Sequence, residues 1–438
     1  MRFAPGAGSA VPFIIGTLLL AAVLAFALTP LVRALAQRLD NIDHPDERRV
    51  NTSPVARGGG IAVAVACLVA SLVFLVINAE SSSTIRPPLS IGPSELLALL
   101  GGGALAAIIG TLDDTFQLRA RYQLAGQVLI AVAAILLGVT PDQIGSPFGG
   151  QFEMAGLIGG AFALVWILGM VNSMNFIDGL DGLSSGIGLI AAVTLGLISL
   201  TTAVGPFGQP FVAVLCFALA GALAGFLRWN FHPATVFVGT SGVLFVGYTL
   251  AILSILGTAK VAVAMLVLGV PIIDTFWIIV RRVAARRSPF KPDRGHIHHR
   301  LLDLGLSHLQ TVLLIYAVCI VLGAMALFLP VSGQLVAFVG LTGATGLVFF
   351  VLTRRSVDRS DRALIKASAR APEDSPQAVP RAVAKPSMAA VPMAPTPPAP
   401  HPSAPSAPPT PVHPSAVLDT APEDEPAPQE AASIRTLR

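Results

Sequence analysis

The chain has 438 residues, 54% of them hydrophobic and only 12% charged, with a mean hydropathy of +0.75. A soluble domain of that composition could not cover its apolar surface, so water-soluble classes are excluded and an all-α polytopic membrane protein is expected. The formal net charge of +4 matters through its placement, because Lys and Arg beside membrane spans set their orientation. Cys67, Cys216 and Cys319 lie singly in apolar runs at no ligand-like spacing, which argues against disulfides and against a thiolate metal site.

Apolar runs long enough to span fall near 11–35, 59–78, 94–112, 122–139, 154–172, 183–204, 210–228, 241–257, 260–281, 309–330 and 332–353, which predicts about eleven helices. The first run has only Arg2 before it and Arg33 and Arg38 after it, the pattern of a retained span rather than a cleaved leader. Interior glycines such as Gly101-Gly102-Gly103 and Gly159-Gly160 suit close helix packing in lipid. Alternate loops carry the cations: Arg38, Arg48, Arg49 and Arg57; Arg119 and Arg121; Arg228; Arg281 through Arg300; and Arg354 with Arg355. The opposite set holds little more than Arg86 and Lys260. The first set is therefore expected in the cytoplasm, with the N-terminus outside and the C-terminus inside. The membrane part is expected to be 1–355. The Pro, Ala and Ser-rich remainder, 356–438, has too little apolar side chain to form a core and is expected to be a disordered cytoplasmic tail.

Every dense polar cluster falls in the cation-bearing loops. The central one, Asn172-Ser173-Met174-Asn175-Phe176-Ile177-Asp178-Gly179-Leu180-Asp181-Gly182-Leu183, sets two carboxylates, two amides and two glycines between apolar runs. Ionised Asp in hydrocarbon is costly, so this stretch belongs at a membrane edge or around a polar cavity. Its glycines are expected to let a ligand approach the backbone. Asp113-Asp114 ends the third run, and adjacent carboxylates point to a divalent metal or to proton transfer unless they are simply exposed. Asp43 to Arg49 with Arg57 reads as a membrane-proximal charge cluster. Arg228-Trp229-Asn230-Phe231-His232-Pro233 leads into Gly239-Thr240-Ser241-Gly242. His296-Ile297-His298-His299-Arg300 could bind a metal or donate to phosphate, and the neighbouring arginines favour anionic oxygen. Carboxylates for a hard cation beside Arg and His for phosphate make up the equipment of phosphoryl transfer. A transporter is a weaker reading, since the ionisable groups gather at one face and not at mid-membrane.

With these motifs in view, the chain resembles the polyprenyl-phosphate N-acetylhexosamine-1-phosphate transferases, relatives of phospho-N-acetylmuramoyl-pentapeptide transferase. The resemblance covers about 11–353. It rests on Asn172 to Leu183, on Asp113-Asp114 with Leu118, Leu124 and Gln127, on Pro271-Ile272-Ile273-Asp274-Thr275, on Ser288-Pro289-Phe290 and on His296 to Arg300. It implies transfer of N-acetylhexosamine 1-phosphate from a UDP-sugar to undecaprenyl phosphate, with Mg²⁺ (or Mn²⁺) and release of UMP. The setting it implies is the bacterial inner membrane, at its cytoplasmic face, at the start of a cell-envelope glycan.

By the same resemblance, Asp113, Asp114 and Asp178 are the expected catalytic and metal residues. Asn172, Asn175, Asp181, Arg57, Arg228, Asn230, His296, His298, His299 and Arg300 are expected to hold substrate. Membrane lipids are further partners, a homodimer is left open, and no nucleic acid is expected. Four departures from the family pattern stand out: Thr240 replaces a metal-binding Asp, Gln123 a Lys, Thr235 a basic residue, and Arg49-Val50-Asn51 an expected Lys-x-His. A member that binds lipid phosphate or nucleotide sugar without turnover is the alternative expectation.

Overall fold

The computed structural model describes residues 3–4, 7–43, 54–81, 85, 87, 91–145, 151–154, 156–201, 208–257, 260–284, 286, 295–330 and 332–346. The tail expected over 356–438 and the Ser288-Pro289-Phe290 motif lie outside them. In chain order the helices are α1 (Ala7–Arg38), α2 (Gly60–Glu80), α3 (Pro93–Phe116), α4 (Ala120–Leu136), α5 (Leu157–Ile177) and α6 (Leu183–Ser199). There follow α7 (Pro210–Asn230), α8 (Gly239–Leu256), α9 (Lys260–Val267), α10 (Gly269–Ala284), α11 (Ile297–Asp303) and α12 (His308–Phe328), then a helical stretch over 332–346. Among the described residues, seven helices are long and apolar enough to cross a membrane, or eight if α9 and α10 count as one span. The protein is α-helical and multi-pass.

The bundle is built around α8, which is almost wholly buried. Backbones approach closely where glycine omits a side chain. A Cβ on Gly110 of α3 would lie 2.4 Å from Ser241 Cα of α8. Gly221 and Gly225 of α7 likewise face the Leu18 and Ala22 carbonyls of α1 at 2.2 and 2.1 Å. Association in lipid depends on such packing because burying apolar surface there gains little. Tyr248 of α8 donates to Ala98 O of α3 (2.7 Å), and Trp166 of α5 donates to Ser254 Oγ of α8 (2.9 Å). All three cysteines are free and buried.

Two expectations need correction. The run over 260–281 is not one helix: α9 and α10 meet at a 79° bend. Pro271 lacks an N–H, and its ring would clash with the carbonyl four residues back, that of Val267 where α9 ends. The fold also contains two small antiparallel ladders, β1 (Ile42–Asp43) with β2 (Val55–Ala56) and β3 (Gln143–Gly145) with β4 (Gln151–Glu153). The first ladder is tied to the α7–α8 connection, where Phe237 N donates to Ala56 O and Gly59 N to Phe237 O, both at 2.9 Å. That stitching fixes Arg57, which follows β2.

Candidate functional site

A cavity of about 370 Å³ opens at the end of the bundle where α3 and α5 finish and α8 begins. Its wall includes Asp43, Asp114, Asp178 and Asp181, the guanidinium of Arg57, and the imidazoles of His299 and His308. Asn175, Asn230 and Thr240 also line it.

The acidic pair splits. Successive residues on a helix point about 100° apart, so one side chain enters the cavity and the other turns away. Asp114 enters and is clasped by the start of α8, accepting from Thr240 N (2.7 Å) and Ser241 N (3.0 Å). Unpaired N–H groups at a helix N-terminus favour an anion there. Gly239, at φ +69, makes room, since a Cβ would lie 2.6 Å from Asp114 Oδ2. Asp113 is buried but does not line the cavity. Its Oδ1 accepts from Leu118 N (3.0 Å) and Gln123 Nε2 (2.7 Å), bracing the turn from α3 to α4. Gln123, where a Lys was expected, therefore meets Asp113 as a neutral donor.

The stretch after α5 forms another wall. Asp178 accepts from Ser184 Oγ (2.6 Å). Its carboxyl is pushed up to about 7, by burial first; Asp114 and Asp181 add to the rise, while Ser184 and Arg57 oppose it. Asp181 Oδ2 lies 2.7 Å from His232 Nδ1 and accepts from Ala234 N (3.1 Å). Arg57 is ion-paired with Asp43. Asn230 accepts from Ser185 Oγ (2.7 Å) and donates to Val236 O (3.0 Å), which leaves it holding the wall together.

Gly179 lines the cavity, and the glycines also make room for packed rings. A Cβ on Gly179 would lie 2.2 Å from His298 Nε2, and one on Gly186 would lie 1.9 Å from Tyr316 Oη. Gly182 adopts φ +78 to start α6 and offers its carbonyl to Tyr316 (2.5 Å). The space they leave is filled by this chain's own rings.

The histidines divide too. Asp274, buried in α10, lies 2.7 Å from His296 Nδ1 and accepts from Ile297 N (2.8 Å), anchoring the start of α11. His298 is buried behind Gly179, and its pKa is pushed down to about 2 by burial, with His299, His296 and His308 contributing. It packs behind Gly179 and is not among the residues that line the cavity. His299 alone of the expected three lines the cavity. Asn172 instead donates to Gln127 Oε1 (2.7 Å) and Leu168 O (2.8 Å). Arg228 lies over the Trp229 ring (5.6 Å), and Arg300 Nε donates to Gly295 O (3.2 Å). None of these three borders the cavity.

Asp43, Asp274 and His308 were not singled out as site residues. For Asp274 a signal existed, an acid inside an apolar run. For His308, at the first position of α12, none did.

A hard divalent ion needs oxygen ligands, and Asp114 and Asp178 present carboxylates to one cavity, with the Asn175 side chain alongside. The donor chemistry thus fits Mg²⁺, although Thr240 contributes only a hydroxyl.

The protein is thus a multi-pass helical membrane protein that draws carboxylates, an arginine and imidazoles into one terminal cavity. Residues 96–258 match glycosyl transferase family 4. The chain is 32% identical over 308 residues to the probable undecaprenyl-phosphate N-acetylglucosaminyl 1-phosphate transferase of Bacillus subtilis, covering 69% of this chain and 81% of that one. It is 35% identical over 325 residues to the decaprenyl-phosphate N-acetylglucosaminephosphotransferase of Mycobacterium leprae (68% and 79%). It is 30% identical over 330 residues to the phospho-N-acetylmuramoyl-pentapeptide-transferase of Moorella thermoacetica (71% and 97%). The chain belongs to this family, the polyprenyl-phosphate sugar-1-phosphate transferases.

Proposed function

We propose that this protein transfers N-acetylhexosamine 1-phosphate from a UDP-sugar to undecaprenyl phosphate, releasing UMP and starting a lipid-linked cell-envelope glycan. It would act from the cytoplasmic face of the bacterial inner membrane, with about eleven spans, N-terminus outside and C-terminus inside. The observation that carries this reading is the convergence of Asp114, Asp178, Asp181, Arg57 and His299 on one cavity in a member of this family. The names of the relatives supply the sugar and the lipid.

The reaction joins an oxygen of the lipid phosphate to the sugar-bearing phosphorus and breaks that phosphorus's bond to the bridging oxygen, which leaves with UMP. There is little covalent work for side chains, so positioning and charge neutralisation dominate. Arg57, fixed by Asp43, supplies positive charge toward phosphate oxygens, and His299 supplies a hydrogen-bond donor. Asp114 and Asp178 would hold Mg²⁺, which when bound neutralises diphosphate charge. Asn175 and Asp181 are positioned to meet the polar part of the donor.

The test is a membrane or micelle assay with undecaprenyl phosphate and labelled UDP-N-acetylglucosamine, repeated with its isomers. Lipid-linked label and stoichiometric UMP are expected, and both should vanish with chelator. Binding of UDP-sugar with no turnover of any of them would replace this reading by the non-catalytic alternative.

A further inference from the structure

Beside the oxygen-rich wall lies a second cluster with different donor chemistry. Asp181 comes from the turn between α5 and α6, His232 from the segment after α7, and His308 from the start of α12. One ligand atom from each lies within 4.8 Å of the other two. The His232 and His308 rings stack with centroids 4.1 Å apart. His308 Nε2 is buried and has no hydrogen-bond partner. A buried polar atom left unpaired costs about 1–3 kcal/mol, and a ring nitrogen of this histidine sits within ligand reach of a second imidazole and a carboxylate.

We infer that Asp181, His232 and His308 form a binding site for a divalent ion of the zinc class. Two imidazoles and one carboxylate suit a borderline ion, whereas Mg²⁺ selects oxygen and keeps its waters. A tetrahedral ion with bonds near 2.0–2.2 Å holds its ligands about 3.4 Å apart. Asp181 Oδ2 and His232 Nδ1, at 2.7 Å, open by less than ~1 Å to accept it. Ala234 N, donating to Asp181 Oδ2 (3.1 Å), steadies the carboxylate. Three protein ligands leave a fourth position, the arrangement of sites that take water or a substrate oxygen rather than of closed structural sites. Asp181 and His308 both line the cavity, so that position is available to an oxygen bound there. This site is distinct from the Asp114–Asp178 wall and differs from it in the ion it selects.

The experiment uses the full chain in detergent micelles, stripped with chelator and titrated with Zn²⁺ alone, with Co²⁺ as a visible probe. One Zn²⁺ per chain is expected, undisplaced by excess Mg²⁺, with a zinc-dependent rise in unfolding temperature. His232→Gln and His308→Gln should each weaken it about tenfold or more and alter the Co²⁺ bands, while His296→Gln should not. Because a variant could fail to fold, zinc-edge X-ray absorption on the unaltered protein gives a second readout and should show two imidazole ligands. Absence of stoichiometric Zn²⁺, absence of imidazole scattering, or loss of binding in His296→Gln but not in His232→Gln would each overturn the site. All of these measure binding, so failure here is distinguishable from failure of the transferase reading.

Discussion

Replacing Gly179 by Ala tests whether the central motif works as the structure indicates. The added methyl would lie 2.2 Å from His298 Nε2, 2.8 Å from Cε1 and 3.1 Å from Cδ2. Ordinary contact starts near 3.4 Å, so the imidazole must retreat by roughly 1 Å. It has little freedom to do so: His298 is buried, with the His296 ring at 5.6 Å and the His299 ring at 4.3 Å. Overpacking of this kind costs about 1–3 kcal/mol. The displacement passes to His299 at the cavity wall, where a misplacement of about 1 Å costs on the order of 100-fold in rate. Gly169→Ala is the control, since nothing lies within 4 Å of its Cβ position; mid-helix Ala should gain about 0.5–1 kcal/mol there. Transferase rate and thermal unfolding in micelles would be measured for both, and for Gly179→Ala combined with His298→Ala. The combination should recover part of the lost stability by removing the clashing ring. Gly179→Ala at near-parental rate and stability, or a double variant no more stable than the single one, would refute the argument.

Asp114→Asn should cost at least tenfold more activity than Asp113→Asn in the same assay. The first turns an amide N–H toward the backbone donors of Thr240 or Ser241 and leaves a donor unsatisfied. The second keeps the acceptor that Leu118 and Gln123 use, and equal losses would contradict the split of the pair. Asp178 bears on pH. A carboxyl raised to about 7 keeps its proton in the folded protein from the ordinary carboxylate range up to that value, and an ion binding there must displace it. The Mg²⁺ concentration for half-maximal rate should therefore climb about tenfold per pH unit as pH falls below about 7, and level off above it. A flat profile from about pH 6 to about pH 8 would exclude Asp178 as a ligand. Thr240→Asp adds a carboxylate to the wall and should lower half-saturating Mg²⁺ about tenfold, about 1.4 kcal/mol; no change would place the ion away from Thr240.

Much of this arrangement was legible in the order of residues, for reasons that also explain the misses. Apolar runs separated by charged loops locate helices because hydrocarbon forces backbone groups to pair within the segment. That argument is silent on bends, so the break between α9 and α10 needed Pro271 to be weighed against the carbonyl of Val267. β1 and β2 are two residues each, too short for any period to show. The motif around Asp178 does line the cavity, but composition cannot say which glycine faces a ligand and which faces a ring. Nor can it say which of two adjacent carboxylates enters a cavity, because that depends on the rotation of α3 against α8. His308 was invisible because it lies 127 residues after Asp181 in the chain and only tertiary packing brings them together.

Thr240 gains a different meaning once these pieces are placed. As a missing carboxylate it reads as a weakened metal site. In the folded protein its backbone N–H grips Asp114, so the position has a structural task, orienting that carboxylate. His308 lines the cavity with Asp181, and His232 lies within ligand distance of both. The imidazole site inferred above, beside an Asp114–Asp178 wall that keeps its oxygen ligands for Mg²⁺, would shift the enzyme's response toward borderline ions. Comparing turnover with Mg²⁺, Mn²⁺ and Zn²⁺ in the parent and in His308→Gln measures that shift directly. A parent enzyme whose rates with the three ions keep the same order and spacing after His308→Gln would mean that the imidazoles take no part in the choice.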